Sequence, residues 1–417
     1  MTRALAVIDG EHHADVVRDA LAELPYEFVA ALLVGGTEKL RGGADYGVPL
    51  AASLDEALAN HRPEIVVDLS DEPVLGPRER LALASRVLAR GLSYAGADFR
   101  FDAPVFAPFA LPSLAFGGTG KRVGKTAVTA HAARLLARSR KVVAVAMGRG
   151  GPAEPEVVTA PPALDELLVL SRSGRHAASD HFELTLVAGV PAVGCRRCGG
   201  GLAGAVATSN VEAGARAAAA LAPDLVLFDG SGAAWPPVAA RRRVLVVGAH
   251  QPPEVAAGYL NAYRLLLADL VVVALAEAGS GWERVRDAAA VREGVPVVPV
   301  VLRPRPLAPV AGRRVAFFSA APAEALPRLA AHLAEAHGAD VVHASGNLAD
   351  REGLRAELAG LDADVWLVEL KAAAVDVVAE AARACGAEVV LCAVDVEPLP
   401  GHDLDVELLR LGEEACS

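Results

Sequence analysis

The sequence has few aromatic residues, few cysteines and no long uninterrupted apolar run. Aromatic residues make up 4% of its 417 residues although 53% are hydrophobic, so any core is built mainly of Ala, Val and Leu. Five scattered cysteines, an odd number, argue against a disulfide framework. Apolar stretches such as 265–276 are too short to cross a bilayer, and the first nine residues lack the pattern of a cleaved signal. We therefore expect a cytoplasmic protein that does not contact a membrane.

Lysine is also scarce, and the balance of charge is acidic. The net charge of −11 argues against general nucleic-acid binding. Of the 40 basic residues only five are lysines, namely Lys39, Lys121, Lys125, Lys141 and Lys371. Where arginine replaces lysine wherever either suffices, a retained lysine marks a place where a compact ammonium group is needed. Two of the five lie in one ten-residue segment.

Short apolar strands alternate with amphipathic helices along the whole chain, which predicts an α/β protein. Proline-rich stretches at 101–112 and 296–309 are candidate boundaries. We therefore predict three α/β units. A central P-loop NTPase-type domain with a largely parallel sheet (111–305) is flanked by a Rossmann-like N-terminal domain (1–110) and a small C-terminal α/β domain (306–417).

A glycine-rich segment between a predicted strand and a predicted helix indicates a phosphate-binding loop. Residues 117–126 read Gly-Gly-Thr-Gly-Lys-Arg-Val-Gly-Lys-Thr, a variant of the P-loop pattern in which Thr119 occupies the first glycine position. Backbone N–H groups in such a loop wrap a polyphosphate, and the following helix adds its partial positive charge. An ordinary tight turn is the alternative. The predicted nucleotide-binding residues are Gly118, Thr119, Gly120, Arg122, Val123, Gly124, Lys125, Thr126 and Ala127.

Two side chains suggest a Mg²⁺ site beside this loop. Thr126 supplies a hydroxyl, and Asp229 follows the apolar strand 225–228 and precedes a flexible Gly-Ser-Gly turn. An acid that merely caps the strand end is the alternative for Asp229. We predict ATP and Mg²⁺ as cofactors, with Lys125 at the β- and γ-phosphates and Lys121 as a further cation at the transferred group.

Arginines in three glycine- or serine-rich segments predict a second, anionic ligand. Such arginines suit bidentate binding of phosphate or carboxylate better than packing, although each alone could be a solvated loop residue. The candidate substrate-binding residues are Arg149, Arg172, Arg175, His176, Arg196, Arg197 and Lys371. His176 and Asp180 could share a helix face as an acid/base pair, or could be a cap and its neighbour. Cys195 and Cys198 lack the second pair of a zinc site, so loop packing is favoured over metal or redox roles.

Acidic and aromatic residues elsewhere are weaker candidates. In the first domain, acids and a histidine follow predicted strands, where they either close over the active site, hold a metal or are solvated. These residues are Asp9, Glu11, His12, Asp68, Asp71 and Glu72. Glu369, Lys371 and Asp376 occupy the same position in the last domain. Tyr259, Tyr263, Arg264 and Asp269 either frame the nucleotide base or belong to a packed helix.

Several of these segments resemble the cyclic 2,3-diphosphoglycerate synthetase family over nearly the whole chain. The matching segments are 9–12, 68–75, 118–126, 147–152, 176–180, 194–201, 228–232 with 236–237, 259–269 and 369–373. The resemblance implies an ATP-dependent ligase. It implies that the γ-phosphoryl group passes to one phosphate of 2,3-diphosphoglycerate and that the neighbouring phosphate then displaces it to close a ring. It also implies that the arginines offset the repulsion between the two phosphates.

Under this interpretation the catalytic residues are Lys125, Lys121, Asp229, His176 and Asp180. Phosphorylation of 2-phosphoglycerate is a related activity to be tested. The alternative function is a regulatory P-loop NTPase switch that acts on a protein partner. The arginine-bearing segments favour the enzyme, because a switch needs no second polyanion site. We further expect a homodimer that acts on a small phosphorylated acid and binds neither nucleic acid nor a membrane.

Overall fold

Buried runs of Val, Leu and Ala form the strands of two sheets, and buried strands of this composition are typical of parallel sheets covered on both faces. The computed structural model describes residues 1–36, 45–72 and 74–417, so Lys39 and Pro73 lie outside the described residues. The chain forms two units. One comprises Met1–Val105, Pro252–Leu267 and Val291–Glu293, and the other comprises Phe106–Gln251, Ala268–Ala290 and Gly294–Ser417.

The first unit holds a six-stranded sheet in the order β3-β2-β1-β4-β5-β6. All its pairs are parallel except β5 with β6. Its strands are β1 (Thr2–Ile8), β2 (Tyr26–Leu33), β3 (Leu50–Ala51), β4 (Ile65–Asp68), β5 (Ser93–Ala95) and β6 (Arg100–Phe101). Its helices are α1 (Ala14–Glu23), α2 (Leu54–His61), α3 (Pro77–Leu88), α8 (Pro253–Ala256) and α9 (Asn261–Leu267). The order reverses between β1 and β4, as in a doubly wound Rossmann-like fold, so the predicted fold class is confirmed here.

The second unit contains a larger sheet of thirteen strands. Its strands are β7 (Ser113–Gly118), β8 (Val142–Gly148), β9 (Glu156–Val158), β10 (Ala192–Cys198), β11 (Thr208–Ser209), β12 (Leu225–Asp229), β13 (Arg242–Gly248), β14 (Leu270–Ala274), β15 (Val297–Pro306), β16 (Arg314–Phe318), β17 (Asp340–Ser345), β18 (Val365–Glu369) and β19 (Glu388–Pro398). Its α-helices are α4 (Lys125–Leu136), α5 (Leu164–Arg172), α6 (Asp180–Ala188), α7 (Val211–Ala220), α10 (Trp282–Ala289), α11 (Leu326–His337), α12 (Arg351–Leu358), α13 (Glu380–Cys385) and α14 (Leu404–Cys416).

The strand order shows how the central and C-terminal parts are joined. The sheet runs β11-β10-β8-β12-β7-β13-β14-β15-β19-β18-β16-β17, and β9 pairs with β10. The proline-rich stretch forms β15, whose first half pairs in parallel with β14 and whose second half pairs antiparallel with β19. The two parts therefore share one continuous sheet.

The C-terminal helix α14 lies against the helix that follows the phosphate loop. Leu404, Leu408 and Leu411 are buried in the same core cluster as Val128 and Leu136 of α4. Polar contacts join the same elements, because His131 Nε2 lies 2.6 Å from Asp405 Oδ1. The C-terminal helix therefore supports the position of α4.

We expect Leu408→Ala to lower the free energy of unfolding of the second unit by about 3 kcal/mol, because Leu408 is fully buried and its removal leaves a cavity. Urea unfolding followed by tryptophan fluorescence measures this, because all three tryptophans, Trp235, Trp282 and Trp366, lie in the second unit. The matched control is Val406→Ala on the same helix, where the side chain is 57% exposed. Equal urea midpoints for the two variants would contradict the packing role of α14.

No helix formed by residues 1–36, 45–72 and 74–417 is long and apolar enough to cross a membrane.

Candidate active site

The glycine-rich segment forms a loop between a buried strand and a helix. β7 ends at Gly118 and α4 begins at Lys125. Gly124 precedes the helix at φ 85°, in the left-handed region that favours glycine. Val123 points into the hydrophobic core and anchors the loop. No side chain caps the first turn of α4, so its N–H groups can bind an anion.

Lys125 and Asp229 meet across two adjacent strands. β12 pairs in parallel with β7, which places the end of β12 beside the loop. Lys125 Nζ donates a hydrogen bond to Asp229 Oδ1, and Thr129 Oγ1 donates to the same oxygen over 2.6 Å. Asp229 is fully buried, and its Oδ2 has no hydrogen-bond partner. The unpartnered, buried Oδ2 of Asp229 is an oxygen ligand of the kind that Mg²⁺ prefers, and Thr126, the second residue of α4, supplies a hydroxyl next to Lys125 in the chain.

A cavity of about 340 Å³ opens beside this pair. The phosphate loop, four further segments of the central part and the segment 371–372 line it. The lining residues are Lys121, Arg122, Lys125, Ala146, Gly148, Arg149, Gly150, Gly151, His176, Ala178, Ser179, Asp180, His181, Cys195, Gly230, Ser231, Gly232, Lys371 and Ala372. The structure therefore brings together Lys121, Arg122 and Lys125 of the predicted loop with Arg149, His176, Asp180 and Lys371. Asp229 does not line the cavity itself but is hydrogen-bonded to Lys125, which does.

Three cations of this cavity have no acidic partner in the part of the chain that the structure describes. Among the described residues, Lys121, Arg122 and Arg149 form no ion pair. Gly232 has a φ of 59°, and a Cβ there would lie 2.6 Å from Arg149 Nη2, so glycine allows the arginine to approach. Unpaired cations in a chain of net charge −11 leave the cavity ready for a polyanion.

Of the five arginines predicted to bind the substrate, only Arg149 lines the cavity. Arg197 lies next to the cavity, because its Nη2 donates to the carbonyl oxygen of Ser231 over 2.9 Å. Its Nε has no partner, and burial together with the charge of Arg149 lowers its pKa. Arg172 and Arg175 instead pair with Glu380 and Glu156.

Arg172, Arg175 and Arg196 do not line the cavity. The arginine that follows Cys195 is exposed, and its backbone is held by Asn210. Part of the third predicted loop is in fact strand β10, which ends at Cys198. The substrate-binding role of these three arginines stays a prediction, and the side chains of Arg172 and Arg175 contact acidic partners outside the cavity.

His176 and Asp180 do not share a helix. α6 begins at Asp180, with Ser179 as its N-cap residue, and His176 lies in the preceding turn. The prediction that the two residues share a helix face is therefore wrong, although both side chains line the cavity. Burial and the nearby charge of Asp229 raise the pKa of Asp180. The acid/base role of the pair stays a prediction.

Three residues at or near the site belong to none of the predicted motifs. His181 is buried at the cavity, and burial lowers its pKa to about 4, so the ring is neutral. Glu183 is buried one turn after Asp180 and lies 3.6 Å from Lys371. Gln251 accepts a hydrogen bond from the hydroxyl of Thr119. Gln251 could have been found, because β13 pairs with the loop strand β7 and this residue follows β13 closely.

Cys195 and Cys198 are free thiols on opposite sides of β10. Cys195 is buried and lines the cavity, while Cys198 is exposed. Burial raises the pKa of the Cys195 thiol to about 12, so it is protonated at neutral pH. No disulfide joins the two thiols, and the packing interpretation of Cys195 and Cys198 stays a prediction.

In the first unit, the strand-end residues form hydrogen-bonded pairs. Asp9 Oδ1 lies 2.7 Å from His12 Nδ1, and Asp68 accepts hydrogen bonds from Arg80 and Tyr94. No group of three or more His, Cys, Asp or Glu side chains that could hold a metal occurs in the described part of the chain. Tyr263 is buried, as the packing interpretation of that helix predicts. Asp376 in the last part pairs with Arg351 and does not line the cavity.

Comparison with known proteins identifies three domains along the chain. They match the N-terminal domain (3–102), the P-loop domain (113–292) and the C-terminal domain (306–395) of cyclic 2,3-diphosphoglycerate synthetase. A cyclic 2,3-diphosphoglycerate synthetase of Rubrobacter xylanophilus is 50% identical, covering 99% of this chain and 98% of that protein. One from Methanothermus fervidus is 38% identical, covering 94% of this chain and 92% of that protein.

A solved structure, LpxK from Aquifex aeolicus in complex with ATP, is 13% identical and has a TM-score of 0.46, covering 74% of this chain and 90% of that chain. The three family domains and the full-length relatives settle the assignment. The chain is an enzyme with a P-loop domain, and it belongs to the cyclic 2,3-diphosphoglycerate synthetase family.

Proposed function

We propose that the protein closes 2,3-diphosphoglycerate into cyclic 2,3-diphosphoglycerate and converts ATP to ADP and phosphate. The observation that carries this proposal is that Lys125, which is paired with Asp229, lines one cavity with Lys121, Arg122 and Arg149, which have no acidic partner in the described part of the chain. A polyphosphate on the loop and a second polyanion would both find cations there. A regulatory switch that acts on a protein partner would not need cations for a second polyanion.

The reaction needs two displacements. First, one phosphate oxygen of the acid attacks the γ-phosphorus of ATP, which forms a phosphoanhydride and releases ADP. Then the neighbouring phosphate attacks the phosphorus to which that group is attached. This closes the intramolecular P–O–P bridge and releases inorganic phosphate. Both steps bring anions together, so charge compensation and orientation are the main contributions of the protein.

The predicted residues of the loop and of the cavity each have a part in these steps. Lys125 leaves Asp229 to contact the β- and γ-phosphates, and Lys121 and Arg122 lie along the loop to stabilise the transferred group. Thr126 and Asp229 would hold Mg²⁺, which neutralises charge on the β- and γ-phosphates when bound. Arg149 and Arg197 hold the two phosphates of the acid close together. These roles rest on the positions of the side chains around the cavity.

Phosphorylation of 2-phosphoglycerate is the second candidate reaction. Its acceptor is a hydroxyl group, which loses a proton, whereas the acceptor of cyclisation is already ionised. Asp180 is a carboxylate at the cavity that could accept this proton, and His176 lies beside it. Asp180→Asn would therefore lower the kinase reaction more than the cyclisation.

The test is ATP turnover with 2,3-diphosphoglycerate and with 2-phosphoglycerate, followed by phosphorus NMR of the products. We expect 2,3-diphosphoglycerate to stimulate ATP consumption and a ring phosphoanhydride signal to appear with one phosphate released per ADP. If neither acid stimulates ATP consumption, the proposed substrate is refuted, but the assignment of the nucleotide site is not. Stimulation by a protein partner instead would favour the switch.

Arg149→Ala is expected to raise the KM for the acid substrate and to lower kcat/KM by about 10- to 100-fold, the loss of one charge-assisted contact. The KM for ATP should change little. The matched control is Arg216→Ala, which removes an exposed arginine of α7 that forms no ion pair with a described residue. Equal kinetics for both variants would exclude Arg149 from the acid site.

We also propose that the enzyme is a cytoplasmic homodimer that needs no nucleic acid. Light scattering after gel filtration tests the oligomeric state, and a mass near the 42.8 kDa of one chain would refute the dimer.

A further inference from the structure

Lys371 reaches the cavity from an unusual turn. β18 ends at Glu369, and the backbone N–H of Lys371 donates to the carbonyl of Glu369 over 2.7 Å. Ala372 then adopts a φ of 47°, in the left-handed region that a non-glycine residue rarely occupies. A π-helix, Ala374–Ala379, follows at once. Backbone strain and π-helical turns are both concentrated at functional sites.

A buried carboxylate holds the ammonium group of this lysine. Lys371 Nζ lies 3.6 Å from Glu183 Oε1, and the Glu183 side chain is only 11% exposed. Glu183 belongs to α6, which packs on the loop helix α4. Nearby Glu369 is already occupied, because it accepts hydrogen bonds from the hydroxyl of Ser319 and the N–H of Ala320. Glu183 is therefore the carboxylate available to fix Lys371.

The charges around Lys371 differ from those at the other end of the cavity. The charge of Glu183 is the main cause that raises the pKa of Lys371, and the charges of Glu369 and Asp180 raise it further. A doubly charged phosphate placed there would meet three carboxylates, whereas Lys121, Arg122 and Arg149 form no ion pair with a carboxylate of the described residues. The Lys371 end therefore suits a group with a single negative charge, and the other end suits phosphates.

We infer that Glu183 is a positioning residue that holds Lys371, and that Lys371 binds the carboxylate of the acid substrate. This inference rests on the proposed function. The carboxylate takes no part in ring closure, so its contact with Lys371 fixes the position of the carbon skeleton. The two phosphates then lie among the unpaired cations. Lys371 belongs to the C-terminal part of the chain, so this part contributes directly to recognition of the acid.

The protonation of Glu183 gives a second readout. Burial is the main cause that raises its pKa to about 7, and Asp180, Glu369 and Asp229 act in the same direction, while Lys371 opposes them. Below this pH the carboxyl is neutral and resembles glutamine. Above it the carboxylate attracts Lys371. The ratio of the acid KM of Glu183→Gln to that of the wild type is therefore expected to be near one at pH 6 and to rise above pH 7.

The decisive experiment compares 2,3-diphosphoglycerate with its carboxamide analogue in the wild type, Lys371→Met and Glu183→Gln. The wild type should show a KM roughly 10-fold or more higher for the analogue, the loss of one charged contact. Lys371→Met should lose this discrimination, and Lys371→Arg should keep part of it. Glu183→Gln should raise the KM for the acid above pH 7. The KM for ATP should stay unchanged in all variants, which reports a folded nucleotide site.

Glu388→Gln is the matched control, because it removes an exposed carboxylate that pairs with Arg313 in the same part of the chain. A wild type that is inactive with 2,3-diphosphoglycerate would overturn the proposed function and this inference together. An active wild type that treats acid and carboxamide alike, or a Lys371→Met variant that still distinguishes them, would overturn the inference alone.

Discussion

Replacing Lys125 by alanine is expected to abolish nucleotide binding and to lower ATP turnover by at least about a thousandfold. The ammonium group is the one cation of the described chain that is both buried at the loop and hydrogen-bonded to Asp229. Its charge acts directly on the β- and γ-phosphates of a nucleotide bound at the loop. Its loss also leaves Asp229 as a buried, uncompensated charge that repels phosphate.

The measurement is ATP affinity by calorimetry together with steady-state turnover. Lys141→Ala is the matched control, since Lys141 is another of the five lysines, precedes β8 and donates to the carbonyl of Leu221 away from the cavity. Lys125→Arg keeps the positive charge but changes the shape of the cation. We expect a large loss of ATP affinity, because a guanidinium group does not fit beside Asp229. Normal ATP affinity in Lys125→Ala would refute the assignment of the loop.

Asp229→Asn is expected to lower turnover by about 100- to 1000-fold and to remove most of its dependence on Mg²⁺. The orphaned Oδ2 is the oxygen available to a metal, and an amide is a weaker ligand without charge. ATP binding without Mg²⁺ should persist, because Lys125 and the loop N–H groups remain.

This second variant separates metal binding from folding. Turnover is titrated with Mg²⁺, and metal-free ATP affinity and thermal midpoint are measured on the same sample. Asp224→Asn is the matched control, because Asp224 immediately precedes the same strand and accepts from the N–H of Lys141, which an asparagine oxygen can also do. An Asp229→Asn variant with normal kcat and a normal Mg²⁺ midpoint would show that Asp229 only caps its strand.

The order of strands and helices could be predicted because hydrophobic period and glycine position are local properties. The predicted strand 225–228 agrees with β12, and the helix predicted after the glycine-rich segment begins at Lys125. The fate of the proline-rich stretch could not be predicted in this way. Its prolines lack an N–H group, yet β15 tolerates them because its pairing changes from β14 to β19 along its length.

In the site, too, residues of local motifs could be predicted, whereas residues placed by contacts between distant parts of the chain could not. The loop residues and Asp229 follow from the pattern of a strand, glycines and a helix. Glu183 is a helix residue without any motif, and only the tertiary structure places it beside Lys371. The arginine segments looked alike in sequence, but Arg172 and Arg175 have acidic partners, whereas Arg149 has none among the described residues.

By itself the sequence determined the phosphate loop, the strand end that carries Asp229, the α/β class and, through its motifs, the family. Each of these depends on residues that are close together in the chain, where backbone freedom and hydrophobic period act directly. The tertiary structure alone decided which cations remain unpaired and which carboxylates surround Lys371. The charge of a side chain is fixed by its identity, but whether that charge is available to a ligand depends on partners brought together from distant parts of the chain.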